Sequence, residues 1–254
     1  MADLVEIRDL EKSYLKVGVN FEGSRVKVLN GVTLSIEAGS CVGLIGESGS
    51  GKSTLGRLIL GLEKPDRGSI SFEGRPQKEW LARNRGKMSV VFQDYTASVN
   101  PRYTVASAIA EPIHASGDVA DMDGRIDELL VKVGLTLDVK CRYPHELSGG
   151  QLQRVCIARA IATAPRFIVL DEAISSLDVS VQAQILKLLH RLRKEMDITY
   201  LFIAHDLQAV SHLCDKMLFL YQGQIVEELH SGELAMARNP YARDLLASVI
   251  PFEV

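Results

Sequence analysis

The stretch Gly46-Glu47-Ser48-Gly49-Ser50-Gly51-Lys52-Ser53 decides the fold of this 254-residue chain. It fits the pattern Gly-x-x-x-x-Gly-Lys-[Ser/Thr] and lies between an apolar run at residues 40–45 and a helical pattern at residues 52–60. In such a strand–loop–helix unit the glycines let backbone N–H groups converge on phosphate oxygens, and the helix N-terminus adds a positive end. We expect Lys52 to reach the β- and γ-phosphates and Ser53 to hold Mg²⁺. The candidate nucleotide-binding residues are Gly46, Glu47, Ser48, Gly49, Ser50, Gly51, Lys52, Ser53 and Thr54.

A second apolar run, Phe-Ile-Val-Leu at residues 167–170, ends in two carboxylates, Asp171 and Glu172. A strand buried on both faces places Asp171 at its carboxyl end, beside the phosphate loop, where it can hold Mg²⁺. Glu172 then faces the γ-phosphate and can polarise the attacking water. Alone, such a pair is an ordinary start of a loop. Together with the phosphate loop, it predicts hydrolysis of a nucleoside triphosphate.

The composition excludes several other classes of protein. Hydrophobic residues make up 46% and charged residues 24%, values that are ordinary for a globular protein. No apolar run approaches the roughly 20 residues that span a bilayer, and residues 1–6 do not look like a secretory signal. The net charge of −3 provides no general attraction to nucleic acid. The four cysteines form no Cys-x-x-Cys pair, so we expect reduced, mostly buried thiols.

Strand and helix patterns alternate along the chain, which predicts an α/β fold with parallel pairing in the core of its sheet. Between residues 105 and 162 the pattern becomes helical, which indicates an inserted subdomain. Residues 16–25 form a polar insertion, expected to be a hairpin loop, and Gln222-Gly223 predicts a hairpin turn. Strands are expected at residues 4–10, 27–36, 40–45, 70–72, 88–92, 167–170, 199–204, 216–221 and 224–228, and a long amphipathic helix around residues 181–192.

The stretch Leu147-Ser148-Gly149-Gly150-Gln151 precedes a helical run. It can be a helix cap and turn, or a second anion site without a lysine. With the phosphate loop and the acidic strand end on either side, the sequence resembles the ATP-binding cassette ATPases over nearly the whole chain, and this stretch is similar to their signature motif.

The resemblance implies an α/β fold: a P-loop NTPase (RecA-like) core with a mainly parallel sheet, an N-terminal antiparallel β portion and an inserted α-helical signature subdomain. The expected domains are a nucleotide-binding core at residues 1–94 and 159–230, a helical subdomain at residues 95–158, and a C-terminal helical tail at residues 231–254.

The resemblance also assigns roles to single residues. Gln93 looks like the glutamine that senses Mg²⁺ and the γ-phosphate, Asp178 like part of the loop that crosses between partner subunits, and His205 like the switch histidine. Tyr14 looks like the aromatic residue that stacks on adenine, although it can equally be a core aromatic at a strand end. The catalytic set is then Glu172, His205 and Gln93, with Mg²⁺ held through Ser53, Gln93 and Asp171.

The resemblance further implies that two cassettes pack head to tail. ATP would lie between the phosphate loop of one chain and Ser148, Gly149, Gly150 and Gln151 of the other. Binding would close the dimer, and hydrolysis at Glu172 would reopen it.

Three stretches narrow the branch of the family. Residues 92–102, residues 239–246 and the insertion after Tyr14 are similar to the oligopeptide, dipeptide and nickel permease subfamily. Residues 147–156 and 171–175 look most like the nickel-import ATPases: Leu152 and Ala173 stand where peptide importers more often have Arg and Pro. The favoured function is therefore the ATPase of an importer for nickel or a nickel-like metal complex. The alternatives are import of dipeptides or oligopeptides, and a soluble non-transport ATPase that acts on nucleic acid.

The resemblance implies partners and a location. The partners would be two membrane permease subunits, a second cassette (identical or paralogous) and, indirectly, an extracytoplasmic solute-binding protein, with no nucleic acid. The chain would lie at the cytoplasmic face of the inner membrane as a peripheral protein. Residues 95–112 would receive the permease, or would be an ordinary loop and helix on the subdomain surface.

Overall fold

The structure is a computed structural model that describes residues 3–15, 25–117, 120–175, 177–204, 207 and 211–248. Contacts divide the chain into two units, one made of Met1–Arg83 and Thr199–Val254 and the other of Asn84–Ile198. The strands are β1 (Asp3–Leu15), β2 (Arg25–Glu37), β3 (Cys41–Ile45), β4 (Arg67–Phe72), β5 (Arg75–Pro76), β6 (Met88–Val91), β7 (Phe167–Asp171), β8 (Thr199–Ala204), β9 (Lys216–Tyr221) and β10 (Gln224–His230). The α-helices are α1 (Lys52–Ile59), α2 (Gln77–Arg83), α3 (Val105–Ser116), α4 (Met122–Lys132), α5 (Gly149–Ile161), α6 (Val179–Met196) and α7 (Pro240–Ala247).

The first unit contains an antiparallel sheet with the strand order β2-β1-β4-β5. Its inward side chains are apolar and buried, among them Val5, Ile7 and Leu34. Such alternation of apolar and polar residues is typical of a sheet with one face against the core. This is the antiparallel β portion expected near the N-terminus.

The first unit also contains the strands that position the phosphate loop, in the order β10-β9-β3-β8. β3 pairs in parallel with β8 and with β9, and β9 and β10 form an antiparallel hairpin. Every residue of β3 and β8 is buried, as expected for strands covered on both faces. Gln222 and Gly223, with φ values of 47° and 76°, form the predicted hairpin turn.

The second unit combines the parallel pair β6 and β7 with the α-helices α3, α4, α5 and α6, of which α3, α4 and α5 contact one another. Their facing side chains are buried, among them Ile109, Ile126, Leu130 and Val155. Thr104 Oγ1 accepts the backbone N–H of Ser107 and caps α3. Short 3-10 turns at Leu137–Cys141 and Pro144–Glu146 connect α4 to α5.

The expected fold class is confirmed: parallel strands, an antiparallel N-terminal sheet and a helical insertion are all present. The two contact-based units differ in their bounds from the predicted domains, because β6 packs against α5 and groups with the helices. The predicted domain boundaries stay a prediction. The polar insertion at residues 16–25 lies outside the described residues except for Arg25, and the tail contains a 3-10 turn, Ser231–Met236, followed by α7.

Candidate nucleotide-binding and hydrolysis site

The phosphate loop connects the buried strand β3 to α1. Gly51 has a φ of 109°, and a Cβ there would come within 2.7 Å of Leu29. A Cβ on Gly46 would lie 2.3 Å from the carbonyl oxygen of Leu220. Glycine is therefore required at both positions by the path of the loop as well as by its chemistry.

Lys52 is buried, with 5% of its surface exposed. Its ammonium donates to the carbonyl oxygen of Gly46 at 2.6 Å and to that of Glu47 at 2.9 Å. These are contacts within the loop itself, so the cation is held where the loop bends. The hydroxyl of Ser50 is also buried and has no hydrogen-bond partner among the described residues. A buried cation and a buried hydroxyl at the bend fit an anionic ligand such as a phosphate chain.

Tyr14 lies near the end of β1 and is half-buried. Its hydroxyl donates to Glu63, which also accepts from Arg57, and the ammonium of Lys12 lies 5.3 Å from the ring centroid. Burial acts to raise the pKa of Glu63, but the hydrogen bonds from Tyr14 and Arg57 outweigh it and leave that pKa below its usual value. The ring is thus fixed in orientation, and its role in stacking on adenine stays a prediction.

The signature stretch forms the N-terminus of α5. Ser148 Oγ accepts the N–H of Gln151 at 3.3 Å, and the side chain of Gln151 accepts the N–H of Ser148 at 3.0 Å, which is a capping box. The interpretation as a helix cap is therefore correct. Ser148 is exposed, and the first N–H groups of an α-helix have no partner within the helix. Binding of an anion at this helix end stays a prediction.

Strand β7 ends at Asp171, and Glu172 directly follows it, so both carboxylates lie at the strand end that the sequence predicts. Glu172 has a φ of 50°, in the left-handed region that non-glycine residues rarely adopt. Its carbonyl oxygen accepts the N–H of Ser175 at 3.1 Å and the Ser175 hydroxyl at 3.0 Å. Strain of this kind often marks residues whose position serves a function.

Two glutamines that the sequence analysis did not select hold the segment after Glu172. Gln153, fully buried in α5, donates to the carbonyl oxygen of Ala173 at 2.6 Å. Gln182 of α6 donates to the carbonyl oxygens of Ile174 and Leu177, at 3.1 and 3.0 Å. A glutamine inside a buried helical face is a signal for such a bond, because a buried amide needs partners.

The remaining predicted residues have mixed outcomes. The side-chain amide of Gln93 donates to Ser175 Oγ at 3.5 Å, so it lies next to the segment that follows Glu172. Asp178 caps α6 by accepting the N–H of Val181 and the hydroxyl of Ser180, and these bonds lower the pKa of its carboxyl group. His205 lies outside the described residues.

Comparison with known proteins identifies the class. The model of the ABC transporter family matches residues 29–175, more than half of the chain. The matched residues include the phosphate loop, Gln93, the signature stretch, Asp171 and Glu172. The chain belongs to the ABC transporter family.

The chain is similar over nearly its whole length to ATP-binding proteins that are named for import or transport. The nickel import ATP-binding protein NikE of Rhodospirillum rubrum is 43% identical, over 99% of this chain and 93% of its own length. The metal-staphylopine import system ATP-binding protein CntF of Staphylococcus aureus is 42% identical, over 98% and 100%. The oligopeptide transport ATP-binding protein OppF of Streptococcus mutans is 43% identical, over 97% and 81%.

A solved structure agrees with the fold. The dimeric ATP-binding cassette MJ0796, bound to ADP and Pi, has a TM-score of 0.78 and 28% identity, over 89% of this chain and 98% of that one. The chain is therefore a nucleotide-binding ATPase with the cassette fold. None of the helices in the described ranges is long and apolar enough to cross a membrane.

Proposed function

We propose that the chain is the ATP-hydrolysing subunit of an importer, and that it takes up nickel or a nickel-like metal complex together with separate permease subunits. The observation that supports it is the joint presence of the phosphate loop, the capped signature turn and the Asp171–Glu172 strand end within residues 29–175. The residues proposed to bind ATP are those at 46–54, with Tyr14 against adenine.

In the proposed reaction Glu172 accepts a proton from the attacking water, and Lys52 neutralises charge that develops on the phosphates. His205 and Gln93 complete the catalytic set. Ser53, Gln93 and Asp171 are proposed to hold Mg²⁺, and their all-oxygen donors suit that hard cation. When bound, Mg²⁺ supplies positive charge against the phosphate oxygens.

The second half of the proposed site comes from a partner cassette, identical or paralogous. Ser148, Gly149, Gly150 and Gln151 would meet the ATP held by the partner's phosphate loop, and Asp178 would lie at the subunit boundary. The exposed position of Ser148 at a helix N-terminus supports this assignment.

The preference for nickel rests on ancestry. NikE and CntF are named for nickel and for a metal complex. Leu152 and Ala173, the residues that favour the nickel branch, are buried, with 4% and 3% of their surface exposed, so they contact no solute. OppF, at similar identity, supports uptake of peptides as the second candidate.

The permease is proposed to dock on the surface that follows Gln93, from the cytoplasmic side of the membrane. Tyr103 on this surface and Phe92, which directly precedes Gln93, each expose 39% of their surface. A groove of about 250 Å³ lies in the same unit, lined by residues that include Val91, Phe92, Ser98, Pro112, Cys156 and Arg159. Arg159 holds its rim by donating to the carbonyl oxygen of Ser98 and to Glu111, each at 2.7 Å.

Uptake tests the function. Cells of the source organism receive the parent gene or the Glu172→Gln variant, and uptake of labelled nickel and of a labelled dipeptide is measured. Glu128→Gln, on the exposed face of α4, is the matched control. Selective loss of nickel uptake with Glu172→Gln supports the proposal, and loss of dipeptide uptake alone favours the second candidate. If neither uptake changes, the transport assignment is wrong and stimulation of hydrolysis by DNA is tested next.

Substitution of the exposed residues 100–103 by alanine tests the docking surface separately. We expect basal ATP hydrolysis to persist, and both membrane association and transport-coupled hydrolysis to fall. Unchanged membrane association and coupled hydrolysis would contradict the docking proposal while leaving the ATPase assignment intact.

A further inference from the structure

The tail helix α7 contacts the phosphate loop through one hydrogen bond. The hydroxyl oxygen of Tyr241, in the first turn of α7, accepts the backbone N–H of Glu47 at 2.8 Å. The two residues are 194 positions apart in the sequence. Glu47 is the second residue of the phosphate loop, and its N–H is directed to this side chain and not into a strand ladder.

This bond acts on the same peptide group that holds Lys52. The N–H of Glu47 and the carbonyl oxygen of Gly46 are the two polar ends of one planar peptide unit. Tyr241 accepts from one end, and the Lys52 ammonium donates to the other at 2.6 Å. The next carbonyl, that of Glu47, accepts from Lys52 and from the N–H of Ser50 at 3.1 Å. Rotation of this peptide unit would therefore break the contacts of Tyr241 and of Lys52 together.

Tyr241 is itself held in place from two directions. The N-cap residue Asn239 accepts the N–H of Tyr241 at 2.9 Å, and Glu227 of β10 accepts the N–H groups of Arg238 and Asn239 at 2.7 and 2.9 Å. The Tyr241 ring lies 4.3 Å from that of Tyr221, between centroids. The hydroxyl therefore reaches Glu47 with little further loss of conformational freedom.

The hairpin that precedes the tail supports the same loop. The N–H of Gly223 donates to the carbonyl oxygen of Ser50 at 3.2 Å, and the carbonyl oxygen of Gly223 accepts the N–H of Asn30. The segment from β9 to α7 thus contacts the phosphate loop at both Glu47 and Ser50.

We infer that Tyr241 is a positioning residue for ATP binding, which keeps the Gly46–Glu47 peptide in the orientation that the phosphate loop needs. The inference rests on the proposed binding of ATP at residues 46–54. It gives the tail, which the sequence marks only by its similarity to a subfamily, a physical role at the nucleotide site.

The test is Tyr241→Phe, which keeps the ring beside Tyr221 and removes only the hydroxyl. Tyr221→Phe is the matched control, because it removes a hydroxyl from the other ring of the same pair. Among the bonds described, the Tyr221 hydroxyl accepts only from the side chain of Gln222, at 3.2 Å. We expect Tyr241→Phe to raise the Kd and the KM for ATP about threefold to tenfold, the value of one hydrogen bond, with kcat within about twofold. Tyr221→Phe should match the parent.

A second measurement separates positioning from general stability. Glu47→Pro removes the N–H donor, so Tyr241→Phe should have no further effect on the Kd in that background. An equal effect in both backgrounds, or a Kd for Tyr241→Phe within twofold of the parent, overturns the inference. The Lys52→Ala variant distinguishes failure of the role proposed for Tyr241 from failure of the proposed function. If the parent binds ATP and Lys52→Ala does not, only the role of Tyr241 is wrong, whereas a parent that does not bind ATP contradicts the proposed function itself.

Discussion

The backbone of Glu172 carries strain at the residue proposed to polarise the attacking water. Its φ of 50° costs a non-glycine residue roughly 1–2 kcal/mol. Glycine adopts this conformation freely but loses about 0.5–1 kcal/mol through its more flexible unfolded chain. We therefore expect Glu172→Gly to be more stable than Glu172→Gln by about 0.5–1 kcal/mol, measured by urea unfolding, while both lose hydrolysis.

Glu172→Gln is the control in that comparison because it loses the charge and keeps a side chain at the strained position. Equal stability of the two variants would mean that the strain only offsets the roughly 0.5–1 kcal/mol that glycine loses, and a less stable Glu172→Gly would mean that the left-handed backbone carries no strain. If Glu172→Gln hydrolysed ATP at more than a small fraction of the parent rate, Glu172 would not be the group that accepts the proton.

The thiol of Cys156 provides a prediction about pH. Burial disfavours the thiolate and raises the pKa of Cys156 to about 12, against the opposing charge of Arg159. Since the thiolate is the reactive form, Cys156 should resist iodoacetamide at pH 8 while the exposed Cys141 is alkylated. Mass spectrometry of the native chain checks this, and early modification of Cys156 would show that α5 opens in solution.

At the scale of elements, the two glycines of the signature stretch face different neighbours. A Cβ on Gly149 would meet the tip of Tyr95 at 2.8 Å, which can move aside, whereas a Cβ on Gly150 would meet Val181 Cγ1 at 2.9 Å. Because valine is stiff at χ1, the close contact with Val181 destabilises the fold by about 1–3 kcal/mol. This exceeds the roughly 1 kcal/mol by which alanine stabilises a helix relative to glycine.

We therefore expect Gly150→Ala to lower the free energy of unfolding by about 1 kcal/mol, and Gly149→Ala to be close to neutral. Gly232→Ala, where nothing lies within 4 Å of the added Cβ, is the control. Val181→Ala should restore the loss caused by Gly150→Ala. Chemical denaturation of the four variants measures this, and equal stability of Gly149→Ala and Gly150→Ala would contradict it.

The elements that could be predicted from the sequence are those whose causes are local. The phosphate loop depends on glycines and a lysine at fixed spacing, and the turn at Gln222–Gly223 depends on two residues that tolerate positive φ. Helix α2 and the short strand β5 were not predicted, because seven and two residues give too little periodicity. Helix α3 continues past Pro112, where the sequence alone would suggest an end.

At the scale of the whole molecule, the contacts that escape prediction join residues far apart in the sequence. The bond between Glu47 and Tyr241 and the clustering of β6 with the helices both depend on tertiary packing. The residue types involved, a tyrosine near a tail and a short apolar strand, fit many other structures equally well. The motif residues could be predicted because phosphate chemistry restricts their type and spacing, whereas their supports are restricted only by shape.

The proposed head-to-tail dimer provides the last prediction. With ATP and Mg²⁺, Glu172→Gln should bind without hydrolysing and so accumulate the dimer in analytical ultracentrifugation. Ser148→Ala in that background removes both the cap of α5 and the proposed contact with the partner's ATP, whereas Thr104→Ala removes only the equivalent cap of α3. Each should lower the free energy of unfolding by about 1 kcal/mol, but only Ser148→Ala should weaken dimerisation. Equal dimerisation of both variants would contradict the role of Ser148, and a monomer at every concentration would leave a paralogous cassette as the partner.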